Sequence, residues 1–269
     1  MIKRELYMNR IRPFIGGELI KVMTGIRRSG KSVMLELIKE ELAEAGVAPS
    51  QMISINFEDM RYSHLQTATA LHDEIIKRAE GIEGKAYLFF DEIQEVEGWE
   101  KCVNSLRVAL DCDIYITGSN AKLLSGELAT YIGGRYVEFV IYPFSFAEFL
   151  ELYHTIAPSD SIQQCFQKYL LAGGMPYLAN LRYEEEPSRQ YLTDLFNSVQ
   201  LKDIVKRNKI RDIDLLERII AYMTANVGTV FSASSLAKFF KNEQRTVAAE
   251  TILNYVRYCC DAYLFYQVK

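Results

Sequence analysis

The segment Gly25–Ser32, with the sequence GIRRSGKS, constrains the fold of this chain more than any other stretch. It matches G-x-x-x-x-G-K-[ST], the pattern of a phosphate-binding P-loop. The apolar run at 19–24 predicts a buried strand before the loop, and apolar residues at helical spacing predict a helix after it that ends by Gly46. Because strand, loop and helix occur in this order, the pattern favours a P-loop over its alternative, an ordinary glycine turn in front of a helix.

The residue types in this loop suit an anion. Gly25 and Gly30 let the backbone curl closely around a phosphate because neither has a Cβ atom, and the loop N–H groups and the positive helix end would surround it. Lys31 would reach the β- and γ-phosphates of a nucleotide, and the Ser32 hydroxyl would ligate Mg²⁺. The predicted nucleotide-binding residues here are Gly25, Ile26, Arg27, Arg28, Ser29, Gly30, Lys31 and Ser32. The side chains of Arg27 and Arg28 would contact phosphate, a neighbouring subunit or solvent.

Composition limits the class of protein. The 269 residues suffice for one large or two ordinary domains, and 49% hydrophobic with 25% charged residues is the balance of a globular protein. The chain has no apolar run of the ~18 residues that cross a membrane, and its first residues do not resemble a signal peptide, so we expect a cytoplasmic protein without membrane contact. The five cysteines form no C-x-x-C pair, which argues against zinc and disulfides. The net charge of −4 gives no global attraction for nucleic acid but leaves a local basic face open.

Apolar runs alternate with amphipathic helical patterns from residue 19 to residue 141. This alternation predicts an α/β fold with a parallel sheet covered by helices on both faces. The predicted strands are 19–24, 52–57, 85–90, 114–117 and 136–141. Beyond Pro143 helical periods dominate, and the last part reads as two helices followed by a strand at 263–268, the outline of a winged helix. We therefore divide the chain into a core domain at 1–150, a helical lid at 151–228 and a winged-helix domain at 229–269.

Two carboxylates follow the third predicted strand. Asp91 and Glu92 come directly after four apolar residues, which is the hhhhDE form of a Walker B strand. Adjacent acids at the end of a buried strand are costly unless a cation or hydrogen bonds compensate. We predict that Asp91 holds Mg²⁺ and that Glu92 orients and polarises the attacking water. A solvent-exposed turn is the alternative, since several of the residues that follow are also polar.

Polar residues near other strand ends add candidate site residues. After the fourth strand, Ser119 and Asn120 would touch the γ-phosphate or the attacking water, and Asn120 is the predicted catalytic residue; the alternative is an ordinary Gly-Ser-Asn turn. Arg135 precedes the fifth strand, and its guanidinium would stabilise charge in phosphoryl transfer unless it is a surface arginine. At the end of the second strand, the acidic pair at 58–59 would act near the attacking water or cap a helix.

With these segments in hand, the chain resembles the prokaryotic P-loop ATPases of the AAA superfamily, near the STAND and origin-initiator branches. The resemblance covers about residues 1–180 and rests on the segments 24–32, 57–59, 88–94, 117–120, 134–135, 142–150 and 173–176. It implies a sheet of order 5-1-4-3-2, ATP as the nucleotide, a helical lid and a winged helix. The chain has no Asn-Lys-x-Asp motif of the guanine-binding proteins, which agrees with ATP.

The resemblance also gives a role to the segment Gly173-Gly174-Met175-Pro176. It is similar to the Gly-x-Pro element of STAND proteins, whose proline packs against adenine, so Met175 and Pro176 are implied as adenine neighbours. From the residues alone, the segment makes either a flat apolar ledge that suits a purine or a plain helix break. Many members of the group continue into a C-terminal domain that resembles restriction endonucleases. This chain ends at Lys269, so it is either a truncated chain or a short natural member of the group.

Three functions are compatible with these features. The leading hypothesis is a switch or motor that hydrolyses ATP with Mg²⁺. The second is an ATP-regulated DNA-binding protein whose helix-turn-helix carries Lys238, Lys241, Arg245 and Arg257; such modules also serve as contacts for a protein partner. The third is a scaffold that binds nucleotide tightly with little turnover. Whether the protein forms a homo-oligomer is left open by the sequence. An arginine finger in trans would require a ring or a dimer, whereas Arg135 could act in cis.

Overall fold

The computed structural model describes residues 2–121 and 132–268. Within these residues, five strands form one parallel sheet. The strands are β1 Ile20–Thr24, β2 Met52–Asn56, β3 Ala86–Asp91, β4 Cys112–Thr117 and β5 Tyr136–Val140. Their order is β2-β3-β4-β1-β5, and each neighbouring pair is parallel. The predicted α/β fold and the predicted order 5-1-4-3-2 are therefore confirmed.

Helices follow most strands and continue beyond the sheet. In the described ranges the α-helices are α1 Glu5–Ile11, α2 Lys31–Glu44, α3 Ala68–Ala79, α4 Trp99–Ala109, α5 Phe146–Tyr153, α6 Ile162–Ala172, α7 Glu185–Ser198, α8 Ile213–Ala225, α9 Ala233–Asn242 and α10 Ala249–Asp261. A π-helical segment, Val199–Lys206, continues from α7. Short 3₁₀ turns lie at Arg12–Phe14, Pro49–Gln51, Met60–Leu65, Ile93–Glu95 and Pro176–Ala179.

The sheet is covered on both faces. Helices α1 and α2 pack on the face that carries Met23 and Tyr115, whereas α3 and α4 pack on the face that carries Val22 and Ile116. Successive residues of a strand point to opposite faces, so a strand with helices on both sides must be buried throughout. All six residues of β4 are buried. This double burial explains why the strands appear in the sequence as continuous apolar runs.

The parallel arrangement places the carboxyl ends of all five strands at one edge of the sheet. Met23 near the end of β1 is level with Thr117 at the end of β4, and Asn56 at the end of β2 is level with Asp91 at the end of β3. The loops that follow β1, β3 and β4 therefore leave this edge side by side. This edge is where the predicted site residues of three separate segments are brought together.

The chain divides into two compact units, Met1–Gln190 and Tyr191–Lys269. The division falls inside the segment that the sequence predicts as a lid, 151–228, so that segment contributes to both units. In the second unit, α8, α9 and α10 enclose an apolar core that includes Leu215, Ile219, Leu236 and Ile252. No helix in the described part of the chain is both long and apolar enough to cross a membrane.

The strand predicted at 263–268 is wrong, because none of these residues belongs to a strand. Tyr263 has a φ of 57°, and the Leu264 N–H bonds back to the Cys259 carbonyl at 3.0 Å. This is the geometry of a helix C-terminus with a left-handed residue after it. The segment therefore ends α10, and the predicted winged helix lacks its strand in the described residues.

Candidate functional site

The P-loop connects β1 to α2, and its two glycines meet different steric demands. Gly25 has a φ of 141°, and a Cβ atom there would lie 2.2 Å from the Ile141 carbonyl oxygen, so no other residue fits. Gly30 has a φ of 100° and directly precedes α2, which begins at Lys31. The Lys31 ammonium donates to the carbonyl oxygens of Gly25 and Ile26, both at 3.1 Å. The loop thus curls around the ammonium end of this side chain.

Other loop residues differ in exposure. Ser29 is fully buried, and its hydroxyl has no hydrogen-bond partner among the described residues. Arg28 in the loop and Ser32 at the start of α2 are exposed. Arg27 is half-buried and lies 3.3 Å from a carboxylate oxygen of Glu58. A buried hydroxyl without a partner is costly in a folded protein, and a bound anion's neighbourhood is one place where such a group is found.

Glu92 lies opposite the P-loop lysine. Its Oε1 atom is 4.0 Å from the Lys31 Nζ atom, and the two side chains are 12% and 3% exposed. Burial raises the pKa of the Glu92 carboxyl above its ordinary value, although Lys31 and a hydrogen bond from Gln94 act in the opposite direction. Glu92 also has a φ of 56°, a conformation that is uncommon for a residue other than glycine and that is often found at functional sites.

Asp91 is held between the two strands that flank β3. The Thr117 hydroxyl at the end of β4 donates to Asp91 Oδ1, and the Asn56 amide at the end of β2 donates to Asp91 Oδ2 at 3.0 Å. The same Thr117 oxygen accepts the Glu92 N–H at 2.9 Å. One hydroxyl thus contacts both the Asp91 carboxylate and the Glu92 backbone. Neither Thr117 nor Asn56 is among the predicted site residues, although each is a polar residue at the end of a neighbouring strand.

The segment after β4 is buried next to β1. Gly118 donates its N–H to the Met23 carbonyl at 3.1 Å, and Ser119 and Asn120 are only 1% and 4% exposed. The Ser119 hydroxyl has no hydrogen-bond partner among the described residues. This segment is therefore buried, and it begins at the same sheet edge as the P-loop.

Arg4 is a site residue that the sequence does not indicate. Its guanidinium is 1% exposed and donates to the Ser29 carbonyl in the P-loop at 2.9 Å, to the Tyr142 carbonyl at 2.8 Å and to Glu148 Oε1 at 2.7 Å. Burial of Glu148 disfavours its ionised form, but the hydrogen bonds from Arg4 and Ser145 outweigh it, and the pKa of Glu148 lies below its ordinary value. In the sequence, Arg4 is one of several basic residues near the N-terminus, and no pattern separates it from the others.

The segment that carries Met175 and Pro176 docks close to this arginine. Gly174 accepts the Phe144 N–H at 2.6 Å, and a Cβ atom on Gly174 would lie 2.1 Å from the Phe144 carbonyl oxygen. The Phe144 ring in turn stacks with the Arg4 guanidinium, 5.1 Å from the ring centre. Met175 is buried and Pro176 is half-buried. The contact with Phe144 gives Gly174 a packing role that a plain helix break does not require.

The predicted position of Arg135 is incorrect within a single chain. Its backbone carbonyl accepts the N–H of Ile20, the first residue of β1, and its side chain is exposed. Arg135 precedes β5, and β5 is parallel to β1, so it lies at the amino edge of the sheet. Five residues of strand, about 16 Å, separate that edge from the P-loop. The structure therefore does not bring Arg135 to the phosphate-binding edge.

Comparison with known proteins identifies the family. A family model described as an AAA domain matches residues 18–150, and a model of a domain of unknown function matches residues 163–269. An uncharacterised protein of Haemophilus influenzae is 38% identical over 270 residues, which cover 100% of this chain and 67% of that protein. An uncharacterised protein of Methanocaldococcus jannaschii is 33% identical over 259 residues, which cover 92% of this chain and 56% of that protein. The chain thus spans about two thirds and just over half of these two relatives.

Solved structures with a related architecture are more distant. Orc1 of Aeropyrum pernix in complex with DNA is 14% identical, with a TM-score of 0.43 over 96% of this chain and 83% of that chain. DnaA of Aquifex aeolicus bound to AMPPCP is 16% identical, with a TM-score of 0.40 over 95% of this chain and 87% of that chain. Neither similarity bears on the ligands of this protein. The P-loop between β1 and α2, the strand order and the match to the AAA domain agree, and the chain belongs to the AAA superfamily of P-loop ATPases.

Proposed function

We propose that this protein binds Mg²⁺-ATP at the carboxyl edge of its sheet and hydrolyses it to switch between conformations. The observation that carries the proposal is the approach of Lys31 to Glu92, 4.0 Å apart, with Asp91 beside them in a fixed orientation. A lysine ammonium and two carboxylates at one edge of the sheet are the groups that phosphoryl transfer to water requires. The adjacent P-loop supplies the backbone donors for phosphate.

The residues at this edge also fit a magnesium ion. Mg²⁺ prefers oxygen ligands, and the Ser32 hydroxyl at the start of α2 and the Asp91 carboxylate supply them. When bound, the ion would neutralise charge on the phosphates. Asp91 already has both oxygens oriented by neighbouring donors, so its position does not depend on the ion.

Glu92 is the residue that we assign to the attacking water. Its raised pKa makes its carboxylate a better proton acceptor than an exposed glutamate. Its N–H is fixed by Thr117, and Asn120 and Ser119 lie on the adjoining segment, where contact with the γ-phosphate remains our proposal. Met175 and Pro176 are proposed as neighbours of the adenine ring.

Two substitutions test this proposal. Lys31→Ala is expected to abolish ATP binding, whereas Glu92→Gln is expected to retain binding and to lower single-turnover hydrolysis by about 10²–10⁴-fold. Lys39→Ala on the same helix and Glu95→Gln, an exposed acid next to the site, are the matched controls. Hydrolysis by Glu92→Gln at the wild-type rate would contradict the assignment of the base. Tight binding with no measurable turnover in the wild type would instead support the scaffold function.

The structure offers little support for DNA binding through the predicted helix-turn-helix. Arg245 donates to the carboxylates of Asp212, at 2.7 Å, and of Asp214, and Arg257 donates to Asn254 at 3.0 Å. Two of the four basic residues predicted there are thus engaged within the protein. The predicted wing strand is also missing from the described residues.

A further inference from the structure

A second group of basic residues lies in the π-helical segment and the turn after it. Residues 202–211 read KDIVKRNKIR, in which five of the ten residues are Lys or Arg and one is Asp. Lys202, Lys206, Lys209 and Arg211 are exposed, and Arg207 is half-buried. This concentration of positive charge contrasts with the net charge of −4 for the whole chain.

Three of these residues are exposed lysines that lie close together in the chain. Lys202 and Lys206 are spaced i, i+4 on the helical segment, which makes them neighbours on its surface, and Lys209 follows in the turn, with a φ of 52°. The side away from this row is buried within the protein and includes Val199 and Ile204. We call Lys202, Lys206 and Lys209 the lysine row.

The lysine row has no neutralising partner among the residues that the structure describes. Within residues 2–121 and 132–268, none of the basic residues of 202–211 forms an ion pair. The Nη1 atom of Arg207 is buried and has no hydrogen-bond partner in the same ranges. By contrast, Arg218 and Arg245 in the following helices are paired with Asp214. Like charges at i, i+4 spacing destabilise a helix, so an unpaired row of this kind fits an external anion.

We propose that the lysine row binds the phosphate backbone of a nucleic acid. Closely spaced exposed ammonium groups suit the closely spaced phosphates of a nucleic-acid strand, and such contacts provide most of the affinity in sequence-independent binding. A membrane surface fits less well. Amphipathic membrane helices insert their apolar side between lipids, whereas the apolar side of this helix is packed inside the protein.

The test is a salt titration of nucleic-acid binding without nucleotide. Fluorescence anisotropy of labelled duplex DNA, single-stranded DNA and RNA would be recorded at increasing NaCl concentrations. For three phosphate contacts, the slope of log K against log salt is expected near −2.7 on duplex DNA and about −2 on a single strand. Lys202→Gln/Lys206→Gln should reduce the magnitude of the duplex slope by about 1.8.

The matched control is Lys238→Gln/Lys241→Gln, which removes the same charge from exposed lysines of α9. The proposal expects this control to keep the wild-type slope. Equal losses in both double variants would overturn it, and so would the absence of wild-type binding at low salt. Binding to vesicles with anionic lipid but not to any nucleic acid would overturn it too. Lys31→Ala should bind nucleic acid like the wild type, so a failure of the ATPase proposal and a failure of this one are separate results.

Discussion

The Arg4 guanidinium donates a 2.9 Å hydrogen bond to the backbone carbonyl of Ser29, in the middle of the P-loop. The same guanidinium forms an ion pair with Glu148 in the first turn of α5. A single buried arginine therefore connects the phosphate-binding loop to the N-terminal arm and to the first helix after the sheet. If the loop moves on nucleotide binding, its contact with Arg4 would therefore transmit the movement to both of these elements.

This arrangement predicts that Arg4 matters for nucleotide affinity. Arg4→Lys keeps the positive charge, but an ammonium cannot reach three acceptors in the fixed geometry of a guanidinium. We expect nucleotide to bind about tenfold more weakly, the scale of one lost charge-assisted hydrogen bond. Isothermal titration with ATP and Mg²⁺ would measure the affinity, and urea unfolding without nucleotide would measure stability separately.

The control for Arg4 is Arg10→Lys, which changes an exposed arginine of α1, the helix that directly follows Arg4. It should leave both the affinity and the free energy of unfolding at wild-type values. If Arg4→Lys lowers stability but leaves the nucleotide affinity unchanged, Arg4 only fastens the N-terminal arm to the domain.

Thr117 is expected to act through the Asp91 carboxylate and the Glu92 backbone, both of which its hydroxyl contacts. Thr117→Val keeps the shape of the side chain but removes the donor to Asp91 and the acceptor for the Glu92 N–H. Loss of such an outer contact typically lowers activity or metal affinity by about 10–100-fold. We therefore expect a lower kcat and a higher Mg²⁺ concentration for half-maximal rate, both measured in a steady-state ATPase assay.

A suitable comparison is Thr24→Val at the end of the adjacent strand β1. Thr24 is also buried, but its hydroxyl donates to Glu138 at 2.6 Å and to neither site carboxylate. The Mg²⁺ dependence of this variant should match that of the wild type. A parallel shift in both variants would indicate a general loss of packing at the strand ends.

Much of this edge could be predicted from the sequence because it is encoded locally. A glycine loop between a strand and a helix, and acids directly after an apolar strand, are patterns of neighbouring residues. In a parallel sheet all strand ends of one kind lie together, so Lys31 and Glu92 meet although 60 positions separate them in the chain. The same rule shows why Arg135 is misplaced: it precedes its strand and must lie at the opposite edge.

The remaining features depend on tertiary contacts. Arg4 reaches Ser29, Tyr142 and Glu148 only after the chain has folded, and nothing in its local sequence marks it. The strand predicted at 263–268 fails for a related reason. Aromatic and branched residues favour a strand only where a partner strand is available, and here Tyr263 instead ends α10.

Glu92 gives a prediction for the pH dependence of turnover. Burial is the main reason that the pKa of Glu92 lies above its ordinary value of 4.5, and a hydrogen bond from Gln94 lowers it. A base must be ionised to accept a proton, so hydrolysis should decline as pH falls through this raised pKa. Gln94→Leu removes a donor to the ionised carboxylate, so the midpoint of the acid limb should move to higher pH.

Single-turnover rates at saturating Mg²⁺-ATP would provide this profile. Gln66→Leu, which changes an exposed glutamine of the same unit, should leave the midpoint in place. A midpoint that stays fixed or moves to lower pH in Gln94→Leu would show that the acid limb reports a group other than Glu92.

A buried ion pair on the α1/α2 side of the sheet gives a prediction for stability. Lys21 and Asp113 form an ion pair in which both side chains are fully buried. Asp113 also accepts the Tyr115 hydroxyl and the Gly16 N–H, each at 2.7 Å. Lys21→Met would leave this carboxylate buried without a cation, and we expect a loss of about 3–5 kcal/mol in the free energy of unfolding.

The double variant Lys21→Met/Asp113→Asn should recover more than half of that loss. It removes the buried charge, while the amide oxygen can still accept from Tyr115. Lys85→Met is the control, since Lys85 pairs with Asp111 at 2.6 Å on the surface, where such a pair contributes about 0–1 kcal/mol. Urea unfolding at neutral pH would compare the three variants. A loss in Lys21→Met no larger than in Lys85→Met would mean that the Asp113 carboxylate finds another partner when the lysine is removed.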